Sequence, residues 1–432
     1  MTAQVSQEQW SGFGQGGPSN KDSEFVSDQP AATSIATQSI PETQQALLLH
    51  AAKQPYELVD THKVPSSLAK HEVLVRTVAI GLNPIDWKAP DFGFGIPELP
   101  YLSGRELAGT VAQVVDNETR WKVGDRVISI ATDYRDLRKA AFQEYAIAPD
   151  FNLVRLPQRL SFEEGATFGV AFVAASLALG VCMGADFSTS HDGPDLFKSL
   201  HQIDPEILPA DIRDECVGAI DNHERVQPGD WIAIWGGSST SANLVVQLAR
   251  LIGLRTILIV DGLKHGLRLS DHAYIRPDLL VDSHDPERAV QIIKANTRGK
   301  LRFGLDTRGK ETAAYLLNAL STDHKHDTVT SPPSPPSTPP NSHRLRAHLV
   351  GLTGLPKTGI EGSQLHNVPI KLFHEVPEVG LALCSWLERL LESGAVSPPD
   401  IIDVQDGLES VNSGLDRMRR GEISGGKLVV RI

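Results

Sequence analysis

The sequence predicts an α/β protein in which a mostly parallel, doubly wound sheet sits beside a barrel-like domain of short strands. Two observations carry this. From Trp231 to Gly354, short apolar runs alternate with helical periodicity, the pattern of successive βαβ units. From Gln44 to Leu160, alternating or apolar strand-like runs follow one another with turn residues between them.

In the N-terminal half, "EVLVRTVAIGL", "LAGTVAQVV", "GDRVISI", "AFQEYAIAP" and "NLVRLP" each read as a strand. From Glu163 the character changes, and "EEGATFGVAFVAASLALGV" predicts one long apolar helix with its acids near the positive N-terminal end. An acidic, loop-rich stretch follows. The strands "WIAIWG", "RTILIVD", "LLVDS", "LRFGLDT" and "HLVGLTG" then alternate with helices, "PERAVQIIKANT" and "KETAAYLLNAL" among them. "ISGGKLVVRI" is a closing strand. Two segments fall outside this scheme. Residues 1–43, rich in Gly, Ser, Thr and Gln, are too polar to offset their ordering entropy and predict a disordered tail. A Pro/Ser-rich stretch centred on "TVTSPPSPPSTPPNSH" predicts an exposed insertion at about 321–346.

The run "WIAIWGGSSTSANLVVQLARLIG" joins a strand apolar on both faces to a tight loop and a helix. Leu244, Val245, Leu248, Ala249, Leu251 and Ile252 recur at helical spacing, and Gly253 is placed to end the helix. Backbone N–H groups at such a helix start can receive a pyrophosphate. Asp261 ends the next strand, at the distance where a carboxylate holds a ribose hydroxyl. The loop reads Gly236-Gly237-Ser238-Ser239-Thr240-Ser241-Ala242 rather than G-x-G-x-x-G, so hydroxyls stand where glycines are usual. They offer partners to phosphate, or cap the helix, or both.

Composition narrows the function classes. A formal net charge of −12 over 432 residues argues against a general nucleic-acid partner. Three well-separated cysteines, Cys182, Cys216 and Cys384, suit a reduced, cytoplasmic protein and exclude a four-cysteine zinc site. No apolar run is read as reaching the roughly 20 residues that span a bilayer, so no membrane partner is expected.

The motifs "GLNPIDWK" (Gly81–Lys88), "LPYLSGRELAGTVAQV" (Leu99–Val114), "WKVGDRV" (Trp121–Val127), "AFQEYAIAP" (Ala141–Pro149) and "ISGGKLVVRI" resemble landmarks of the medium-chain dehydrogenase/reductases. The nearest branch looks like the zinc-independent quinone reductases and the fungal enoyl reductases that assist polyketide synthases. The resemblance implies a GroES-like barrel catalytic domain over 44–165, completed by 378–432, and a Rossmann domain over 166–377. It also implies a nicotinamide cofactor. In zinc-dependent relatives a Cys and a His-Glu pair ligate the metal. Here those places hold Leu82-Asn83-Pro84-Ile85-Asp86 and Arg105-Glu106, so no zinc is expected.

Without a metal, hydride transfer to a conjugated enoyl or quinone fits best, because conjugation spreads the developing charge. An alcohol dehydrogenase-like enzyme and a non-catalytic nucleotide-binding protein are the alternatives. Asn83, Asp86, Lys88 and Tyr145 are the catalytic candidates, and Tyr134 is a second possible proton donor. Arg105 and Glu106 read as a buried structural pair. Cofactor contacts are expected from Lys88, Val173 (where relatives often carry Thr), Gly236, Gly237, Ser238, Ser239, Thr240, Ser241, Asp261, Lys264, His265 and Lys427. Asp261 alone favours NADH; Lys264, His265 and the hydroxyls accommodate a 2′-phosphate, and with the branch's habit the balance falls to NADPH. The substrate is expected to be a small molecule or an acyl chain carried by a synthase. The oligomeric state stays open.

Overall fold

The computed structural model describes residues 39–115, 119–321 and 345–432. The expected N-terminal tail, apart from its last residues, and nearly all of the expected Pro/Ser-rich insertion lie outside them.

The first half contains β1 (Thr43–Leu49), β2 (Glu57–Lys63), β3 (Glu72–Gly81), α1 (Pro84–Phe92), β4 (Tyr101–Leu102), β5 (Glu106–Val114), β6 (Arg126–Ile130), β7 (Tyr145–Pro149) and β8 (Leu153–Arg155). β1 pairs antiparallel with β2 and β4, and β3 pairs antiparallel with β5 and β7. The strands expected from β3 to β8 are present. β2 escaped the sequence reading because nearly all of its side chains face solvent, leaving no apolar alternation to detect. Its neighbour β1 contributes Ala46, Leu47 and Leu49 to a core shared with Val73, Val75, Phe142 and Trp121.

The expected long helix is broken. It runs as α2 (Phe162–Gly165), then α3 (Gly169–Leu177), then a single π-helical turn at Ala178–Cys182. The break has a tertiary cause: Glu106 Oε2 on β5 accepts the Val170 N–H, so a carboxylate distant in sequence starts α3 afresh. Gly169 eases this approach, since a Cβ there would stand only 3.0 Å from Glu106 Oε2. Counted as one unit, Phe162–Cys182 is 21 residues long and apolar enough to cross a bilayer, which corrects the expectation that no such run exists. In this fold 94% of its apolar window is buried as core.

After α4 (Leu196–Gln202) and α5 (Arg213–Val217), strand and helix alternate as expected. The order is β9 (Trp231–Trp235), α6 (Thr240–Leu251), β10 (Arg255–Val260), α7 (Gly262–Asp271), β11 (Leu279–Asp282), α8 (Pro286–Thr297), β12 (Phe303–Asp306), α9 (Lys310–Ala319), β13 (Ala347–Gly351) and β14 (Ser363–Asn367). All six strands are parallel, in the order β11-β10-β9-β12-β13-β14. Numbered from β9, this is the 3-2-1-4-5-6 Rossmann order, which reverses beside β9 and opens a crevice at the strand ends there. Leu244, Val245 and Leu248 of α6 are wholly buried, and each such side chain contributes about 1.5–3 kcal/mol of burial free energy.

The chain ends with α10 (Lys371–Glu375), α11 (Pro377–Ser393), β15 (Ile401–Asp406), α12 (Val411–Arg419) and β16 (Lys427–Arg431). β16 pairs antiparallel with β3, placing Val429 opposite Gly81, and parallel with β15. The C-terminal strand is thereby brought next to "GLNPIDWK".

Candidate functional site

The loop after β9 is shaped for a close backbone approach. Gly236 has φ of 77°, and a Cβ there would collide with Thr307 Oγ1 beyond β12. Gly237 packs its Cα on β10, where a Cβ would meet the Leu258 side chain at 2.8 Å. Ser239 caps α6, its Oγ accepting the Ala242 N–H at 3.2 Å and lying 3.2 Å from Thr307 Oγ1. Capping is therefore the structural role of Ser239. Ser238, Thr240 and Ser241 are half-buried around the same helix start. Three requirements of a dinucleotide cradle meet here: a turn only glycine can make, a free helix N-terminus and the switch-point crevice.

Asp261 stands at the end of β10, but its carboxylate is already engaged. Oδ1 accepts the Lys264 N–H at 3.1 Å, capping α7, while Oδ2 lies 3.6 Å from Lys264 Nζ and 3.7 Å from His284 Nε2. The backbone hydrogen bond first, then His284 and Lys264, hold Asp261 below the usual carboxylate range. His284 was missed by sequence reading; it follows β11, and only the parallel pairing of β10 with β11 brings it beside Asp261. Its hydrogen bond to Asp282 and the charges of Asp282 and Asp261 raise its pKa above 6.5. His265 is a correction. It is buried against the closing-strand loop, Nε2 at 2.8 Å from Ser424 Oγ, and so turns away from the Asp261 end.

Val173 is also a correction. It is wholly buried in the core, because the helical phase of α3 turns it inward. Val170 and Ala174, one turn apart, are the partly exposed residues of that helix.

Where β3, β5 and β16 meet, a buried polar group forms from three distant segments. Lys427 Nζ on β16 makes an ion pair with Glu106 Oε1 and a 3.1 Å bond to Asn83 Oδ1. Asn83 Nδ2 donates to Glu106 Oε1 at 2.8 Å and to the Gly81 carbonyl at 3.1 Å. With the Val170 N–H on Oε2, the Glu106 carboxylate is satisfied at both oxygens. Lys427 is 3% exposed and sealed in this group, which corrects its assignment as a cofactor contact. Glu106 pairs with Lys427 rather than Arg105, which corrects the expected Arg-Glu pair. Arg105 instead donates to Tyr101 Oη at 3.1 Å and lies 5.4 Å from the Tyr134 ring centroid.

Asp86 is wholly buried one turn into α1. Its Oδ2 accepts the Asn83 N–H at 2.8 Å, and the Tyr56 hydroxyl donates to its backbone carbonyl at 2.8 Å. Burial pushes its carboxyl up to about 7, against the lowering effects of the Asn83 hydrogen bond, Arg105 and Lys427. Lys88 is half-buried with its ammonium 5.7 Å from the Trp87 ring centroid, outside this group. Tyr145 is not brought to it either. It pairs with Arg76, well before Gly81 on β3, so the sheet register separates it from Asn83.

Three comparisons bear on this geometry. The sequence profile of the alcohol dehydrogenase GroES-like domain matches residues 69–158. A "Trans-enoyl reductase" from Gibberella fujikuroi is 28% identical over 398 residues, covering 90% of this chain and 98% of that protein. Residues 69–158 thus match an alcohol dehydrogenase GroES-like domain, and nearly the whole chain is similar to an enoyl reductase. Solved members of the fold superpose over most of it. A Pseudomonas syringae quinone oxidoreductase has a TM-score of 0.63 at 18% identity, covering 90% of this chain and all of that one (100%). A mycobacterial protein solved in complex with NADPH has a TM-score of 0.63 at 18% identity, with 90% and 100% covered.

Proposed function

We propose that the protein is an oxidoreductase that uses NADPH to reduce a conjugated enoyl or quinone substrate, without a catalytic metal, in secondary-metabolite biosynthesis. The observation that carries this reading is the Lys427 ammonium sealed between Glu106 and Asn83. In zinc-dependent relatives this region supplies metal ligands; a buried cation already holding Glu106 makes the place unfit for a second one. The reaction then depends on orientation and on delocalisation within the substrate itself.

When bound, NADPH supplies the hydride. The N–H groups at the start of α6 and the Gly236–Ser241 loop would hold its pyrophosphate. Lys264 and His284 offset the charge of Asp261, which favours a 2′-phosphate over a bare ribose. Val170 and Ala174 offer a partly exposed apolar face on α3 beside Glu106. Asn83, Glu106 and Lys427 spend their hydrogen bonds on one another, so they act by positioning β3, α3 and β16, and the proton that completes the reduction comes from water. Asp86 likewise positions Asn83. The relatives named as trans-enoyl reductases support an acyl chain carried by a synthase as the substrate form, and the three buried free cysteines suit a cytoplasmic setting.

The test is NADPH oxidation with a panel of quinones, free enoyl thioesters and carrier-bound enoyl thioesters. Turnover of a conjugated substrate supports the reading. Tight NADPH binding with no turnover on any of them overturns it in favour of a non-catalytic nucleotide-binding protein. NADH binding as tightly as NADPH overturns the cofactor assignment alone.

A further inference from the structure

Away from the cleft, the π-helical turn, α5 and β14 bring Cys182, Glu215 and His366 together. Their ligand atoms lie within 4.8 Å of one another, and no role in the reduction reaches them. Cys182 and His366 are wholly buried, while Glu215 is 18% exposed and forms the side open to solvent. A thiolate, an imidazole and a carboxylate are a zinc donor set, and donors at 2.0–2.3 Å from a tetrahedral ion stand roughly 3.3–3.8 Å apart. The group brackets that spacing, with Glu215 Oε1 at 2.7 Å from His366 Nδ1 and the remaining separations within 4.8 Å.

The second observation lies behind His366. Its Nε2 is 3.0 Å from His348 Nδ1, and His348 Nε2 faces Glu224 Oε2 at 3.8 Å. Glu224 is itself clamped by Arg346, whose guanidinium reaches Oε2 at 2.6 Å. With no cation and one proton on each ring, His366 Nδ1–H donates to Glu215 Oε1, so His366 Nε2 accepts from His348 Nδ1–H. His348 Nε2 is left as a lone pair aimed at a carboxylate, and it is a buried atom with no hydrogen-bond partner. A cation on His366 Nδ1 reverses every link. His366 Nε2–H then donates to His348 Nδ1, and His348 Nε2–H points at Glu224. This is the histidine-to-carboxylate backing that zinc-bound histidines use to fix their tautomer.

We propose that Cys182, Glu215 and His366 form a zinc site, with water as the fourth ligand, that staples α5 and the π-helical turn onto the β14 edge of the parallel sheet. Zinc binding displaces the Cys182 thiol proton to solvent, and no electron is transferred. The site is structural and independent of the reductase reading, so its test needs no turnover.

The full-length protein, purified from zinc-supplemented culture, should carry about one zinc per chain, and chelation should lower its Tm. Cobalt(II) added to the chelated protein should give thiolate-to-cobalt charge-transfer absorption and the intense visible bands of a four-coordinate ion. Cys182→Ser should abolish the charge-transfer band and His366→Ala the stoichiometric zinc, whereas Cys384→Ser, on α11, should retain both. The wild-type measurements stand even if a variant fails to fold. Wild-type protein with no zinc and no charge-transfer band on cobalt addition overturns the proposal. So does a band that survives Cys182→Ser.

Discussion

Lys427 and Glu106, beside the β3–β16 pairing, are 3% and 0% exposed at their side chains; Lys264 and Asp261, at the end of β10, are 70% and 24% exposed. Both are lysine–carboxylate pairs, yet they do different work. The inner pair has no water to replace a lost partner, so each charge depends on the other and on Asn83. The outer pair sits in solvent, is screened, and contributes little to folding; on the proposed function it shapes the field that a cofactor phosphate would meet. Burial turns the same chemistry from a tuning element into part of the scaffold.

The inner end should break hardest. Lys427→Met leaves the Glu106 carboxylate buried and unpaired, so a loss of about 3–5 kcal/mol is expected in urea unfolding. Adding Glu106→Gln should recover much of it; an unrecovered double variant would show that packing, not charge, dominates there.

Asp86 sharpens the contrast within the buried end. Its folded pKa of about 7 lies above its ordinary 3.8, so the protonated form is the one the fold prefers. The stability this carries is present below about pH 4 and is lost as pH rises towards and through 7. Asp86→Asn should remove that decline, gaining up to about 4 kcal/mol over the wild type above pH 7 and little near pH 4. Parallel unfolding curves at every pH would refute the buried-carboxyl account.

Ser239→Ala should cost about 1 kcal/mol of thermal stability through loss of the α6 cap. NADPH affinity measured alongside shows whether the hydroxyl also meets phosphate; an unchanged Kd would confine Ser239 to capping. The smallest effect belongs to the outer group. The pKa of His284 is raised, so its positive charge is present at low pH and lost as pH rises through that raised value, above 6.5. NADPH affinity should fall over the same range. His284→Ala should flatten the pH dependence and weaken binding by less than about fivefold. A dependence that survives the substitution would place the titrating group elsewhere.

The parallel sheet was legible because each of its strands β9 to β13 is a local apolar run followed by helical periodicity or a turn. Gly236, Gly237, Ser239 and Asp261 could be picked out for the same reason: a strand, a tight turn and a helix N-terminus are neighbours in sequence. Sequence reading failed where position depends on phase or pairing. Val173 was one residue out of the face that Val170 and Ala174 share. His265 was counted with Lys264 because it is adjacent, although successive helical residues point about 100° apart. His284 lies beyond the next strand, β11, from Asp261 and gave no local signal.

The buried end shows the limit most plainly. Arg105-Glu106 could be read as a departure from a metal-binding pair, but nothing local says that Glu106 bonds Lys427, 321 residues away, or starts α3 through Val170. Nor does spacing reveal that Cys182, Glu215 and His366 converge. Strand, turn and cap follow from interactions within a few residues, so the chain specifies them directly. Which charges become partners depends on β16 pairing with β3 and on where helix phase turns each side chain. Only the assembled sheets decide that, because burial removes the water that would otherwise leave those choices open.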